Sequence, residues 1–325
     1  MTSVESAQQA EAAGPAPVQA APAAKPAPAP PPSGGSIAAG IGVGITLLAV
    51  LILGFAGYLY FLSGVQEART QTSMYATLSG ELANGVAPLG PTQISPAAAS
   101  ATASATGAPP MITTPPGSPV AILSIPAIGV RNEVVVQGTT PENLANGPGH
   151  LRDSPMPGQG GTSVLYGRRE TFGAPFARLP LLRPGDKIKV TTGQGTATYV
   201  VKIVGNSQNR ILINPAPNQL LLLTADAGLV PNHYFDVSAT LTSAVQQTPG
   251  GYPSLSSAEV ALGNDPTALI LTMAWGLALV IVSIGGTIAA ARWSRWPAYL
   301  AFVPIALAVV WNLYANLSAL LPNLY

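Results

Sequence analysis

Three long apolar runs without a single charge constrain this chain more than any other feature. Residues 37–62, 266–291 and 297–321 are each long enough to cross a bilayer as a helix. Whatever else folds must lie in front of, between or behind them. The runs also explain why only 8% of residues are charged, against roughly a quarter in ordinary soluble proteins.

The first run is read as an uncleaved signal anchor, because the tail before it is too long and its core too extended for a cleaved signal peptide. That tail, residues 1–35, is Ala, Pro, Gln and Ser with Glu5, Glu11 and Lys25 as its only charges. Its Ala-Pro steps favour extended, disordered chain; a proline-rich docking peptide is the other reading. Gly40 and Gly44 fall one helical turn apart and form a small-residue face for helix packing. Between the second and third runs lie Arg292, Trp293, Ser294, Arg295 and Trp296. Two arginines in so short a loop mark it as cytoplasmic, and tryptophans suit a membrane interface. By parity the tail is cytoplasmic and residues 66–265 are extracytoplasmic.

Residues 63–117 divide into a helix over about 66–83, with Met74, Tyr75 and Leu78 on one side, and an Ala/Pro/Ser/Thr linker. Residues 244–265 form a second linker, rich in Pro, Gly and Ser. Real globular character is confined to residues 118–243. Short strands are expected at 120–125, 133–136, 163–166, 187–191, 196–204, 219–224 and 234–241, with short helical pieces near 141–145 and 175–179. Gly193-Gln194-Gly195 marks a hairpin. Many short strands with frequent turns argue for a mainly β fold, a closed barrel in which closure removes exposed edges.

The net charge of +1 gives no electrostatic case for nucleic acid. The absence of cysteine excludes disulfides, thiolate metal ligands and a cysteine nucleophile. With two histidines and no recognisable carboxylate cluster, neither a metal site nor a cofactor is expected.

An ordered series of motifs carries a resemblance. Residues 122–128 read as "L-x-I-P-x-I", residues 138–151 as "G…L…G-P-G-H", and residues 155–161 as "P-x-P-G-x-G-G". Residues 167–176, Gly-Arg-Arg-Glu-Thr-Phe-Gly-Ala-Pro-Phe, match "G-H-R-D-T-F-G-x-P-F". Leu179, Leu182 and Arg183-Pro184-Gly185-Asp186 follow as "L…L-x-P-G-D", and residues 221–225 as "L-T-L-x-T-C". In this order they resemble the sortases, cysteine transpeptidases that attach surface proteins to Gram-positive cell walls, and most of all the class-E-like actinobacterial group. The resemblance implies a sortase-like closed β-barrel with short helices, here joined to three transmembrane helices.

It also implies a chemistry whose residues are missing. In the family a cysteine attacks a threonyl carbonyl, a histidine handles protons and an arginine stabilises the oxyanion. The histidine position falls on Arg168, the cysteine on Ala225, and the arginine near Tyr234, or on His233 if the closing strand shifts by one. Covalent catalysis needs a nucleophile paired with a base. Alanine has no heteroatom, and an arginine stays protonated. Loss of all three argues against an engineered trapping mutant.

The surrounding residues leave alternatives open. Asp226 and His233 form either a pair across the loop or a solvated aspartate and an unremarkable histidine. Arg168 and Arg169 are either a solvated pair, salt-bridged with Glu170, or a groove in which Arg168 takes an anionic partner through its planar fork. The expectation is a pseudoenzyme at the cell envelope, anchored in the lipid bilayer and scaffolding other envelope or membrane proteins. An acyl transferase of non-cysteine mechanism and a non-cleaving receptor for extended peptides are the alternatives. The orientation is testable against no thiol background: a cysteine introduced at Ser294 is expected to resist membrane-impermeant label in intact cells. Labelling from outside would invert the topology.

Overall fold

The computed structural model describes residues 34–90, 92–94, 111–206, 218–226, 233–248, 251–292 and 295–325. The tail before residue 34, the middle of the first linker and the Trp293-Ser294 pair lie outside these residues. The chain divides into two compact units, residues 1–50 and 51–325.

Apolar sequence without proline or charge makes helix α1 (Gly34–Gly57), which passes through a wide π-helical turn (Tyr58–Leu62) into α2 (Ser63–Asn84). Helices α3 (Ala268–Arg292) and α4 (Arg295–Ser318) follow the β domain and pack together. Among the described residues three helices are thus long and apolar enough to cross a membrane. Leu53, Phe61, Ile270 and Leu300 stand exposed on them, as lipid-facing side chains would. An aromatic cluster holds α4 against the end of α1: the Tyr58 ring lies edge-on to Trp311 at 5.3 Å, and Tyr314 packs on Phe55 at 5.5 Å.

Among the described residues eight strands close a barrel. They are β3 (Pro119–Ile125), β4 (Val130–Gln137), β5 (Gly149–His150), β6 (Thr162–Tyr166), β7 (Lys187–Thr192), β8 (Gly195–Asn206), β9 (Gln219–Ala225) and β10 (Tyr234–Leu241), arranged β10-β8-β7-β3-β4-β5-β6-β9. Strands β1 (Thr92–Ile94) and β2 (Met111–Thr113) form a separate ribbon at the two ends of what the sequence reads as a plain linker. At the β7–β8 hairpin Thr192 pairs with Gly195 around a two-residue loop, and Gly195 alone takes positive φ, at 119°. Gly193 serves a different need: a Cβ there would come within 2.9 Å of the Ala87 carbonyl.

Alternation along the strands fills the barrel with Val120, Leu123, Leu165, Val190, Leu222 and Val237, among others. Strand β9 breaks the alternation. Its even positions, Leu220 and Leu222, enter the core, while Leu221, Leu223 and Ala225 point outward and are also buried. Strand β9 runs parallel to β6, and a strand covered on both faces reads as a continuous apolar run.

Helix α2 docks where the barrel has an open edge. The two-residue β5 pairs only with Val136 and Gln137 of β4, leaving Val134 without a strand partner on that side. The Gln71 side chain fills the gap, accepting from Val134 N at 2.7 Å and donating to Val134 O at 2.9 Å and Asn146 O at 2.7 Å. Leu78 and Val134 bury below it with Met74, whereas Tyr75 faces solvent.

Glu67, outside the apolar run and almost fully buried, meets Glu133 of β4 in a recess shared with Arg131 and Tyr75. Burial first, and then the hydrogen bond and charge of Glu133, raise the Glu67 pKa, so the pair holds a proton at neutral pH. A carboxyl whose folded pKa is raised contributes stability that is complete below its unfolded pKa, near 4.5, and lost as pH rises through the folded value. Thermal stability of the full-length protein is therefore expected to fall from pH 5 towards pH 9, and Glu67→Gln to flatten that fall. An unchanged pH slope in the variant would contradict the shared proton.

Candidate functional site

The site is built from the ends of β6, β9 and β10 and the loop after β6. In the register of β9 and β10, Ala225 lies directly opposite Tyr234. Thr224, next to Ala225, turns the other way into the barrel, where its hydroxyl is buried without a hydrogen-bond partner. The threonine therefore does not reach the place that Ala225 leaves empty of chemistry. Asp226 and His233 meet through the main chain, Asp226 N donating to His233 O at 3.0 Å, and the His233 side chain is exposed.

The loop after β6 follows β9 closely. Gly167 N donates to Leu223 O at 3.0 Å, and a Cβ on Gly167 would fall 2.4 Å from the Phe176 ring. Phe172, Gly173 and Ala174 all have positive φ, at 50°, 72° and 46°. Two of them are not glycine, so the conformation costs energy that surrounding contacts must offset. Those contacts come from the junction where α1 passes into α2. Phe172 is buried, its ring lies edge-on to Tyr58 at 6.4 Å, and its N–H donates to Ser63 Oγ at 3.0 Å.

Arg168 is neither solvated nor salt-bridged. It is the largest fully buried side chain among the described residues. One Nη donates to Pro141 O at 2.7 Å; the other reaches Thr171 Oγ1 at 3.2 Å and Tyr325 O at 3.3 Å. Its Cζ sits 4.6 Å from the centre of the Phe172 ring, and Nε has no partner. Burial lowers its pKa to about 9, with Tyr58 opposing the shift, so it remains a cation at pH 7 and cannot act as a base. Its fork is already spent on the chain's own oxygens, which leaves none of its Nη groups facing an outside anion.

Arg169 behaves differently. Its guanidinium donates to Ala225 O at 3.0 Å and approaches the half-exposed Glu170 at 3.8 Å. Its main-chain N–H donates to Leu324 O at 3.1 Å. Thus Arg168, Arg169 and Ala225 are brought together, Tyr234 joins them across the strand, and Glu170 stays at the rim.

Several residues that close the site fall outside the motif series. Leu324 is fully buried against Leu144, Tyr166, Leu221, Leu223 and Ala225. Asn323 Nδ2 donates to Thr139 O at 2.8 Å, Val260 O at 3.0 Å and Ala258 O at 3.3 Å. Glu259, from the Pro/Gly/Ser stretch, pairs with Arg152 through two 2.5 Å contacts and is itself buried. The unbroken leucine run of β9 was the one sequence signal that an outer layer had to exist.

His150 is a strut. Its Nε2 contacts Pro155 O at 3.0 Å and its Nδ1 contacts the Gln137 amide at 3.1 Å. A carbonyl only accepts, so Nε2 carries the proton and Nδ1 accepts; turning the Gln137 amide to donate satisfies its otherwise unpaired nitrogen. Burial lowers the His150 pKa to about 4, which keeps the ring neutral at pH 7. Among the described residues no three His, Asp or Glu side chains converge as metal ligands.

Residues 123–228 match the family model described as a sortase domain. Sortase D of Bacillus subtilis (strain 168) is 33% identical over 111 residues, 33% of this chain; the match spans 54% of that protein, about half its length. Among solved structures, sortase E from Streptomyces avermitilis is 31% identical with a TM-score of 0.35, covering 40% of this chain and 91% of the other. Sortase E1 from Streptomyces coelicolor is 22% identical with a TM-score of 0.36, covering 39% and 90%. The barrel of this chain is a sortase domain, and it stands in a chain that has no cysteine to place at Ala225.

Proposed function

We propose that this protein is a membrane-anchored, non-catalytic sortase-like subunit that binds or scaffolds other proteins at a bacterial cell envelope. The observation that carries the reading is the paired state of two positions. Ala225 offers no heteroatom where the resemblance expects a nucleophile, and Arg168 is a buried cation where it expects a base. Neither loss is compensated by Thr224, which faces the barrel interior. The three apolar helices support membrane insertion, and Arg292 and Arg295 support a cytoplasmic loop between the last two, with the barrel on the outer side.

The purified full-length protein, given an extended sorting-signal peptide and an amine acceptor, is expected to yield neither hydrolysis nor a joined product. Turnover that disappears in Asp226→Asn or His233→Ala would instead establish an enzyme of another mechanism. Crosslinking in the native membrane is expected to capture an envelope or membrane protein.

A further inference from the structure

We infer that the groove beside Ala225 is a binding site for a tight turn of chain, and that its resident ligand is the protein's own turn at residues 322–325. This deepens the scaffold reading and rests on it only in taking the barrel as a binding body. The segment leaves α4 through a turn at residues 319–321 and then makes three kinds of contact.

The first is shape. Leu324 is fully buried in one apolar cluster with Leu144, Tyr166, Leu221, Leu223 and Ala225. The second is main-chain pairing. Leu324 O accepts from Arg169 N at 3.1 Å, Tyr325 O accepts from Thr171 Oγ1 at 2.7 Å, and Asn323 N donates to Gly263 O at 2.8 Å. The third is side-chain recognition. The Asn323 amide faces three carbonyls, and the Tyr325 hydroxyl pairs with that of Tyr60 at 2.8 Å, at the end of the first apolar run. Donors to its carbonyl oxygens and burial of its one apolar side chain hold the turn, which Tyr325 N closes by donating to Pro322 O at 3.1 Å. A donor-rich rim formed by Arg168, Arg169 and Thr171 fits main-chain oxygens.

Tethering makes this occupant hard to displace. A short connection gives an effective concentration on the order of millimolar. A free peptide of equal intrinsic affinity at micromolar concentration is then outcompeted about a thousandfold. The groove opens only when the end of α4 moves, which couples the site to the arrangement of the membrane helices.

The test uses the full chain and the same chain stopped after Leu321, both in detergent. The probe is a fluorescent peptide with the sequence of residues 319–325. Binding to the truncated chain at least tenfold tighter than to the intact one, lost when the peptide's leucine at position 324 is replaced by aspartate, is the expected result. In parallel, Ala225→Cys is expected to react with a thiol reagent at least tenfold faster after truncation, while Ala239→Cys in the barrel core stays protected. Equal peptide binding by both chains, binding by neither, or equal labelling of Ala225→Cys overturns the proposal. Exposure of Ala239→Cys on truncation overturns it too, because the segment would then be part of the fold rather than a ligand. These readouts do not depend on turnover, so an active enzyme would refute the non-catalytic reading and leave this one standing.

Discussion

The guanidinium of Arg168, buried with oxygen atoms rather than a carboxylate around it, sets the terms for the site. An ion taken out of water costs several kcal/mol unless its donors are satisfied. Here the compensation comes from Pro141 O, Thr171 Oγ1, Tyr325 O and the face of Phe172. They come from three pieces of chain, the turn at Pro141, the loop itself and residue 325, so the cation can stay buried only while those pieces stay together. The same contacts hold the loop in its left-handed turn at residues 172–174.

That requirement links the barrel to the helices. The loop rests on Ser63 and Tyr58, where α1 passes into α2, and on the segment that extends α4. Gln71 closes the open edge of β4 from the next turns of α2. A soluble barrel would leave these surfaces to water. In this chain they are interfaces, and the end of the barrel that carries Arg168 and Ala225 is covered by Tyr58, Ser63 and residues 322–325.

Much of this was legible beforehand. Seven of the eight barrel strands, the β7–β8 hairpin, the three apolar helices and the motif order all follow from periodicity, glycine placement and charge, which are local properties; β1, β2 and β5, at two or three residues each, are too short to carry such a signal. The outward-facing Leu221 and Leu223 announced a second covered face but could not name its cover, because Leu324 is a hundred residues away in sequence. Burial of Arg168 was illegible for the same reason. A solvated arginine and a buried one read alike, and the difference lies in carbonyls at Pro141 and Tyr325 that carry no sequence signature. Gly173 and Gly147 stand in the motif series with no role of their own. In the fold they clear space for Glu67 and Gln71, since a Cβ would come within 2.4 Å and 2.1 Å of those side chains.

The site is closed by the chain's own residues. Native-state hydrogen exchange on the full-length protein in a bilayer mimic tests it at two amides, Arg169 and Phe172, whose acceptors are Leu324 O and Ser63 Oγ. The account predicts that both exchange as slowly as the interior amides of β9. Exchange at the rate of an open loop would show a site exposed to solvent and contradict it.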